Sequence, residues 1–221
     1  MRTQFRDRTE AGELLAEQLA AYANKPDVIV LALPRGGVPV GAQVAKKLNV
    51  PLDVFVVRKL GVPGHPELAM GAIATGGVRV FNGDVVNLLR IPDEVINAVT
   101  AEEFRELQRR ERSYRDDLPP PEVEGKTVII VDDGIATGST MFAAIAALRQ
   151  SNASRIIVAT PTIALTTYDY LRKHADEVVA VIVPEEFHGV GQWYEDFSQT
   201  TDEEVHQLLG ETNHRAAPAV A

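Results

Sequence analysis

The chain has 221 residues, with 22 Lys or Arg against 31 Asp or Glu, giving a formal net charge of −9. That length suits one well-buried core with a small cap, and 45% apolar and 24% charged residues are ordinary for a soluble globular protein. The absence of cysteine excludes disulfides, thiolate catalysis, Fe–S clusters and cysteine-ligated zinc, and the acidic balance speaks against a long nucleic-acid backbone as partner but not against a small anion held by backbone N–H groups.

The opening MRTQFRDRTEAGELL has no apolar core of signal-peptide length, and no apolar run approaches a membrane span. A cytoplasmic protein without a membrane partner is expected. Asp7 and Glu10 have capping-box spacing, and Ala11, Leu15, Leu19 and Tyr22 recur at helical intervals, predicting a helix over 8–24. Val28–Leu33 follows as a buried strand, then Pro34-Arg35-Gly36-Gly37, then a helix to Leu48. A second strand fits Asp53–Arg58. The glycine- and proline-rich stretch Lys59–Gly77 reads as a long loop feeding a short strand, Gly71–Thr75, and 78–83 pairs back as a strand.

Residues 84–118 change character: Thr100 and Glu103 have capping-box spacing, Phe104 and Leu107 form an apolar stripe, and charges fill the rest. This is a helical insertion ending at Leu118-Pro119-Pro120-Pro121, where a helix cannot continue; an ordinary solvated helix is the alternative. Regular alternation then resumes, with strands Val128–Asp132, Arg155–Thr160 and Glu177–Val183 and helices over Thr140–Gln150 and Ala164–His174. Continuous Val- and Ile-rich strands suit a parallel sheet covered on both faces. Thr201 with Glu204 opens a short helix through Leu209, after which the alanine-rich end is expected to fray. The expectation is a single α/β domain over 1–221: a mainly parallel sheet flanked by helices, a helical insertion at 84–118, and a substrate-side cap at 184–212.

The strongest chemical signal is the segment Val128-Ile129-Ile130-Val131-Asp132-Asp133-Gly134-Ile135-Ala136-Thr137-Gly138-Ser139-Thr140-Met141. A buried strand ends in two adjacent carboxylates, and a Gly/Ser/Thr-rich turn leads into the next helix, at the sheet end where open α/β folds bind ligands. Paired carboxylates accept hydrogen bonds from vicinal sugar hydroxyls or interact with magnesium, while successive N–H groups at a helix start surround a phosphate. Together they describe a receptor for a phosphorylated sugar; exposed acids before an ordinary turn are the bland alternative. A P-loop does not fit, because Ser139 occupies the lysine position. A dinucleotide loop does not fit either, because the acidic pair precedes the glycines. Arg35 directly follows a buried strand, and Gly36 and Gly37 would allow a turn that sets N–H groups against an anion.

The acidic segment resembles the diphosphoribosyl-binding signature of type I phosphoribosyltransferases, and Leu33–Gly41 resembles that family's diphosphate loop. The likeness covers roughly residues 8–185, and RKLGVPGHPELAMGAI (58–73) with VPEEFHGVGQWYEDFSQ (183–199) is similar to the predicted bacterial phosphoribosyltransferases. The resemblance implies that Asp132 and Asp133 bind ribose hydroxyls. It implies further that Ala136, Thr137, Gly138, Ser139 and Thr140 cradle the 5-phosphate, and that Arg35, Gly36 and Gly37 meet the diphosphate. Arg58 and Lys59 would begin a mobile flap that excludes water and brings positive charge to the leaving group; a solvated basic pair is the competing reading. His65 and Glu67 are minor candidates on that flap. Two departures stand out. Gly134 replaces an apolar residue, and Ala136 occupies the position of an aspartate in guanine-type enzymes, so purine preference does not transfer from them.

Residues 184–199 hold Phe187, Trp193, Tyr194 and Phe197, where the family recognises its nucleobase. Phe187 is the candidate stacking face; anchoring of the tail by the same aromatics is the alternative. The five histidines, His65, His174, His188, His206 and His214, are scattered and make no metal site. Magnesium is implied instead through the donor's diphosphate and ribose oxygens. The implied reaction moves the 5-phosphoribosyl group from 5-phosphoribosyl-1-diphosphate to a nitrogen of a small heterocyclic base, releasing diphosphate. Asp132, Asp133, Arg35 and Lys59 would carry the chemistry, and Glu67 and Glu186 are low-ranked general bases. Three alternatives stay open: a non-catalytic phosphoribosyl-diphosphate sensor, an enzyme of another phosphosugar or nucleotide, and an inactive interaction module. A homodimer is also left open.

Overall fold

A computed structural model describes residues 4–116 and 118–216, with the side chains of residues 66, 67 and 213–216 outside that description. Asp7 caps α1 (Arg8–Gln18): its carboxylate accepts the Glu10 N–H at 2.8 Å, and the Glu10 carboxylate accepts the Arg6 N–H at 2.6 Å. The helix ends earlier than its apolar spacing suggests, passing through a 3-10 turn at Ala20–Tyr22. Then come β1 (Val28–Ala32), α2 (Gly37–Leu48), β2 (Leu52–Val54), β3 (Val57–Val62), β4 (His65–Ala74), β5 (Val78–Phe81), α3 (Gly83–Leu88) and α4 (Asp93–Arg115). The second half carries β6 (Thr127–Val131), α5 (Ser139–Gln150), β7 (Arg155–Thr162), α6 (Leu165–Leu171), β8 (Glu177–Ile182) and α7 (Asp202–Ala216).

The main sheet has five parallel strands in the order β2-β1-β6-β7-β8. β1 and β6 are buried along their whole length, which is why they read as unbroken apolar runs. Alternate residues divide between two faces: Val28, Val30, Ile129 and Val131 pack with α1 and α2, and Ile29, Leu31, Val128 and Ile130 pack with α5. Each such side chain, fully buried, contributes about 1.5–3 kcal/mol. The expected α/β architecture is the observed one.

Three local expectations are corrected. The strand expected over Asp53–Arg58 is two strands in different sheets: β2 stays in the main sheet, while β3 turns away into a three-stranded antiparallel sheet, β3-β4-β5. The handover occurs at Phe55 and Val56, whose N–H groups go to the Ala32 carbonyl at 2.9 Å and the Thr75 hydroxyl at 2.8 Å. The long loop expected over Lys59–Gly77 is a hairpin. Pro63-Gly64 turns between β3 and β4 with Gly64 at φ 80°, and Leu60, Met70 and Ile73 are buried. Finally, Thr100 caps nothing. It lies inside α4, donating its hydroxyl to the Ile96 carbonyl at 2.7 Å, because the helix begins at Asp93 behind Pro92.

By contrast, Thr201 and Glu204 form a reciprocal capping box: the Glu204 N–H reaches the Thr201 hydroxyl at 3.1 Å, and the Glu204 carboxylate takes the Thr201 N–H at 2.8 Å. α7 runs beyond Leu209 to Ala216, and residues 217–221 lie outside the described residues.

Candidate active site

β1 and β6 are neighbours in register, Ala32 opposite Val131, so the turns leaving them emerge side by side at one edge of the sheet. Arg35 lies in the first turn, following the cis Pro34–Arg35 peptide, and Asp132 and Asp133 lie in the second. The two elements meet directly. A Cβ on Gly36 would run into the Asp133 carboxylate, and one on Gly37 would stand 2.7 Å from the Val131 carbonyl and 3.0 Å from Asp132 Cα. This changes the reason for the two glycines. Gly36 has φ −60°, a conformation open to any residue, so contact with the acidic pair, not an unusual turn, excludes a side chain.

The two carboxylates differ. Asp132 Oδ1 accepts the Asp133 N–H at 2.9 Å. Burial pushes the Asp132 carboxyl well above the usual range, and the neighbouring Asp133 charge adds to that. Burial also raises Asp133, opposed by the guanidinium of Arg8. Arg8 Nε and Nη2 both reach Asp133 Oδ2, at 2.9 and 2.8 Å, and its Nη1 donates to the Ser198 carbonyl at 2.6 Å. The guanidinium carbon lies 4.0 Å from the centre of the Phe197 ring. The Tyr194 hydroxyl donates to the Asp133 carbonyl at 2.5 Å, and burial raises its own pKa.

Beyond the carboxylates, the chain turns from Gly134 to Gly138 into α5. Gly138 has φ 74°, and a Cβ there would lie 2.8 Å from Thr167 Cγ2 and 3.0 Å from Phe142 Cε2, so glycine is required on both counts. The Thr167 hydroxyl donates to the Ala136 carbonyl at 2.5 Å, and the Ile135 N–H reaches the Thr162 carbonyl at 2.9 Å; β7 and α6 thus hold the turn from behind. Ala136, Thr137, Ser139 and Thr140 are exposed, with the Thr137 and Ser139 hydroxyls 3.2 Å apart. Exposed amides and hydroxyls at a helix start form an anion-binding concavity. Gly134 also has a physical reason, since a Cβ there would collide with Val190 of the segment after β8.

The remaining expected residues make other contacts. Arg35 is 38% exposed and 3.7 Å from Asp202 at the start of α7. Arg58 and Lys59 are consecutive on β3 and point to opposite faces; Arg58 pairs with Glu103 of α4 at 2.7 Å, and Lys59 is exposed. Phe187 is half-buried, its ring 6.1 Å from that of Trp193. Glu186 is exposed, and the side chain of Glu67 lies outside the described residues. Tyr194 and Phe197 turn out to be anchors, Tyr194 packing on Phe5 at 5.4 Å and both rings flanking Arg8. Sequence reasoning missed Arg8, and it named Tyr194 only among the base-facing or tail-anchoring aromatics, without its bond to the Asp133 carbonyl. The two lie 125 and 61 residues from Asp133, and no local pattern marks these contacts.

A parallel sheet with a carboxylate pair and a Gly/Ser/Thr-rich turn at adjoining strand ends defines an open-sheet α/β protein, a class whose ligands bind at that edge. The chain belongs to the phosphoribosyl transferase domain family, whose model matches residues 4–196. It is 45% identical over 217 residues to a protein named "Putative phosphoribosyl transferase" in each of two Mycobacterium tuberculosis strains. That match covers 98% of this chain and 49% of each relative, so the chain spans about half their length. It is also similar to the crystal structure of TT1426 from Thermus thermophilus, with 39% identity, a TM-score of 0.82, and coverage of 94% of this chain and 98% of that one.

Proposed function

We propose that the chain is a phosphoribosyltransferase that moves the 5-phosphoribosyl group of 5-phosphoribosyl-1-diphosphate to a nitrogen of a small heterocyclic base, releasing diphosphate. The observation that carries this reading is the convergence of Asp132 and Asp133, the Ala136–Thr140 turn and the Arg35–Gly37 loop at one sheet edge. In this reading the turn amides hold the 5-phosphate and the carboxylates hold the ribose hydroxyls. Arg35 faces the diphosphate, and Lys59, exposed on β3, adds positive charge from the antiparallel sheet, while Arg58 on the opposite face is held by Glu103. The carboxylate pair then favours the cation-like sugar of the transition state. Holding donor and base in line contributes about 7–11 kcal/mol where alignment is good.

The donor set fits magnesium in a particular way. One Asp133 oxygen is engaged by Arg8, and among the described residues no cluster of three or more His, Asp or Glu side chains is placed to hold a metal. In this reading magnesium would be carried mainly on diphosphate and ribose oxygens of the donor, where it would offset charge on the leaving group. Phe187 offers the half-buried ring on which the base stacks. Among the described residues no helix is long and apolar enough to cross a membrane.

A screen of nucleobases with 5-phosphoribosyl-1-diphosphate and magnesium, read by mass, tests the reading. Nucleotide formation with one base or a related group of bases is expected. Donor binding with no reactive base would contradict transfer and favour a sensor of the donor.

A further inference from the structure

Arg8 is the first residue of α1, yet its side chain belongs to the acidic strand end. Its Nε and Nη2 both lie against a single oxygen, Asp133 Oδ2, at 2.9 and 2.8 Å. The side chains are only 12% and 13% exposed, so water and salt screen the pair little. A third N–H goes to the Ser198 carbonyl, and the flat guanidinium lies over Phe197. Lysine has neither the fork nor the plane to make this set of contacts.

The backbone holds Arg8 in place from both sides. Residues 5–6 are zipped to 193–196 through Phe5 N–H to the Trp193 carbonyl, Glu195 N–H to the Phe5 carbonyl and Asp196 N–H to the Arg6 carbonyl, at 2.8, 2.8 and 2.9 Å. The Asp7–Glu10 capping box then fixes where α1 starts. The Tyr194 hydroxyl, from the zipped segment, holds the Asp133 carbonyl. The Asp133 backbone and one of its carboxylate oxygens are therefore both secured by the N-terminal segment and the chain after β8.

We infer that Arg8 is a positioning residue for the donor: it fixes the Asp133 carboxylate in the one orientation from which it meets a ribose hydroxyl. This inference rests on the proposed ribose role of the carboxylate pair. It also divides the pair's work. Asp133 is held by a cation, while Asp132 forms no ion pair among the described residues.

The test is calorimetry with 5-phosphoribosyl-1-diphosphate and magnesium on the full chain, comparing wild type with Arg8→Lys, Arg8→Met, Asp133→Asn and the Arg8→Met/Asp133→Asn double variant. Breaking one side of a buried charge pair should weaken donor binding about tenfold or more in Arg8→Met, with Arg8→Lys between it and wild type. If Arg8 acts through Asp133, the double variant binds no more weakly than Asp133→Asn alone. A folded Arg8→Met or Arg8→Lys protein with wild-type affinity would overturn the inference, as would losses that simply add in the double variant. Should Arg8→Met fail to fold, the double variant removes the stranded buried carboxylate, and its comparison with Asp133→Asn decides. A wild-type protein that binds no donor overturns the functional reading, and the inference with it; wild-type binding with insensitive Arg8 variants overturns the inference alone.

Discussion

Asp132 stands at the end of a fully buried strand, and its carboxyl is held well above its ordinary value, first by burial and then by the Asp133 charge beside it. A carboxyl raised in the folded state binds its proton more tightly there than in the unfolded chain. Its contribution to stability is therefore complete below the unfolded value of 3.8 and is lost as pH rises through the folded value. An asparagine side chain in its place has no proton to lose. We expect Asp132→Asn to be more stable than wild type at about pH 7–8 in urea unfolding, with the gain shrinking toward about pH 4, while donor binding falls. Equal stability at all pH values would mean that the carboxylate bears no burial cost. Gly138 gives a second residue-scale expectation. At φ 74°, a side chain costs about 1–2 kcal/mol in the left-handed region alone, before the Thr167 and Phe142 contacts. Gly138→Val should lower stability by at least that much and weaken donor binding; a folded variant with wild-type affinity would contradict the phosphate role of this turn.

At the scale of elements, what sequence made legible was what local chemistry determines. The Asp7 and Thr201 boxes, the buried β1 and β6 and the glycine entry to α5 all depend on neighbours within a few residues. The β3–β4 hairpin was missed because its glycines and prolines read as loop. Pro63-Gly64 marks a turn between Val62 and His65, which face each other across it, but it is not one of the pairs that signal a two-residue hairpin. Thr100 misled in the opposite direction: its spacing to Glu103 mimics a cap, but Pro92, Asp93 and Glu94 already supply a helix start one turn and more upstream. The cap at Thr201 has a measurable consequence, since α7 brings Asp202 to 3.7 Å from Arg35. Thr201→Ala should cost about 1 kcal/mol in unfolding free energy. Glu204→Ala should also be destabilising, since the bonds are reciprocal. No change in either variant would contradict the box.

For the molecule as a whole, the parallel sheet brings together loops far apart in the chain. Because β1 pairs with β6, the Arg35 turn and the Asp132 turn are adjacent across about a hundred residues of intervening chain. Both halves of that site were legible, each as a buried strand followed by glycines. Their contact was legible only as a consequence of sheet topology. The hold that Arg8 and Tyr194 have on Asp133 was not, because it comes from tertiary placement. The most direct test of the central claim, that this edge holds the phosphoribosyl donor, is calorimetry with 5-phosphoribosyl-1-diphosphate and magnesium on wild type and Asp132→Asn/Asp133→Asn, with circular dichroism to confirm folding. Hydrogen bonds to charged groups contribute about 1.5–3 kcal/mol each, so saturable wild-type binding should weaken tens-fold or more in the folded double variant. A folded double variant that binds the donor as tightly as wild type would contradict the account.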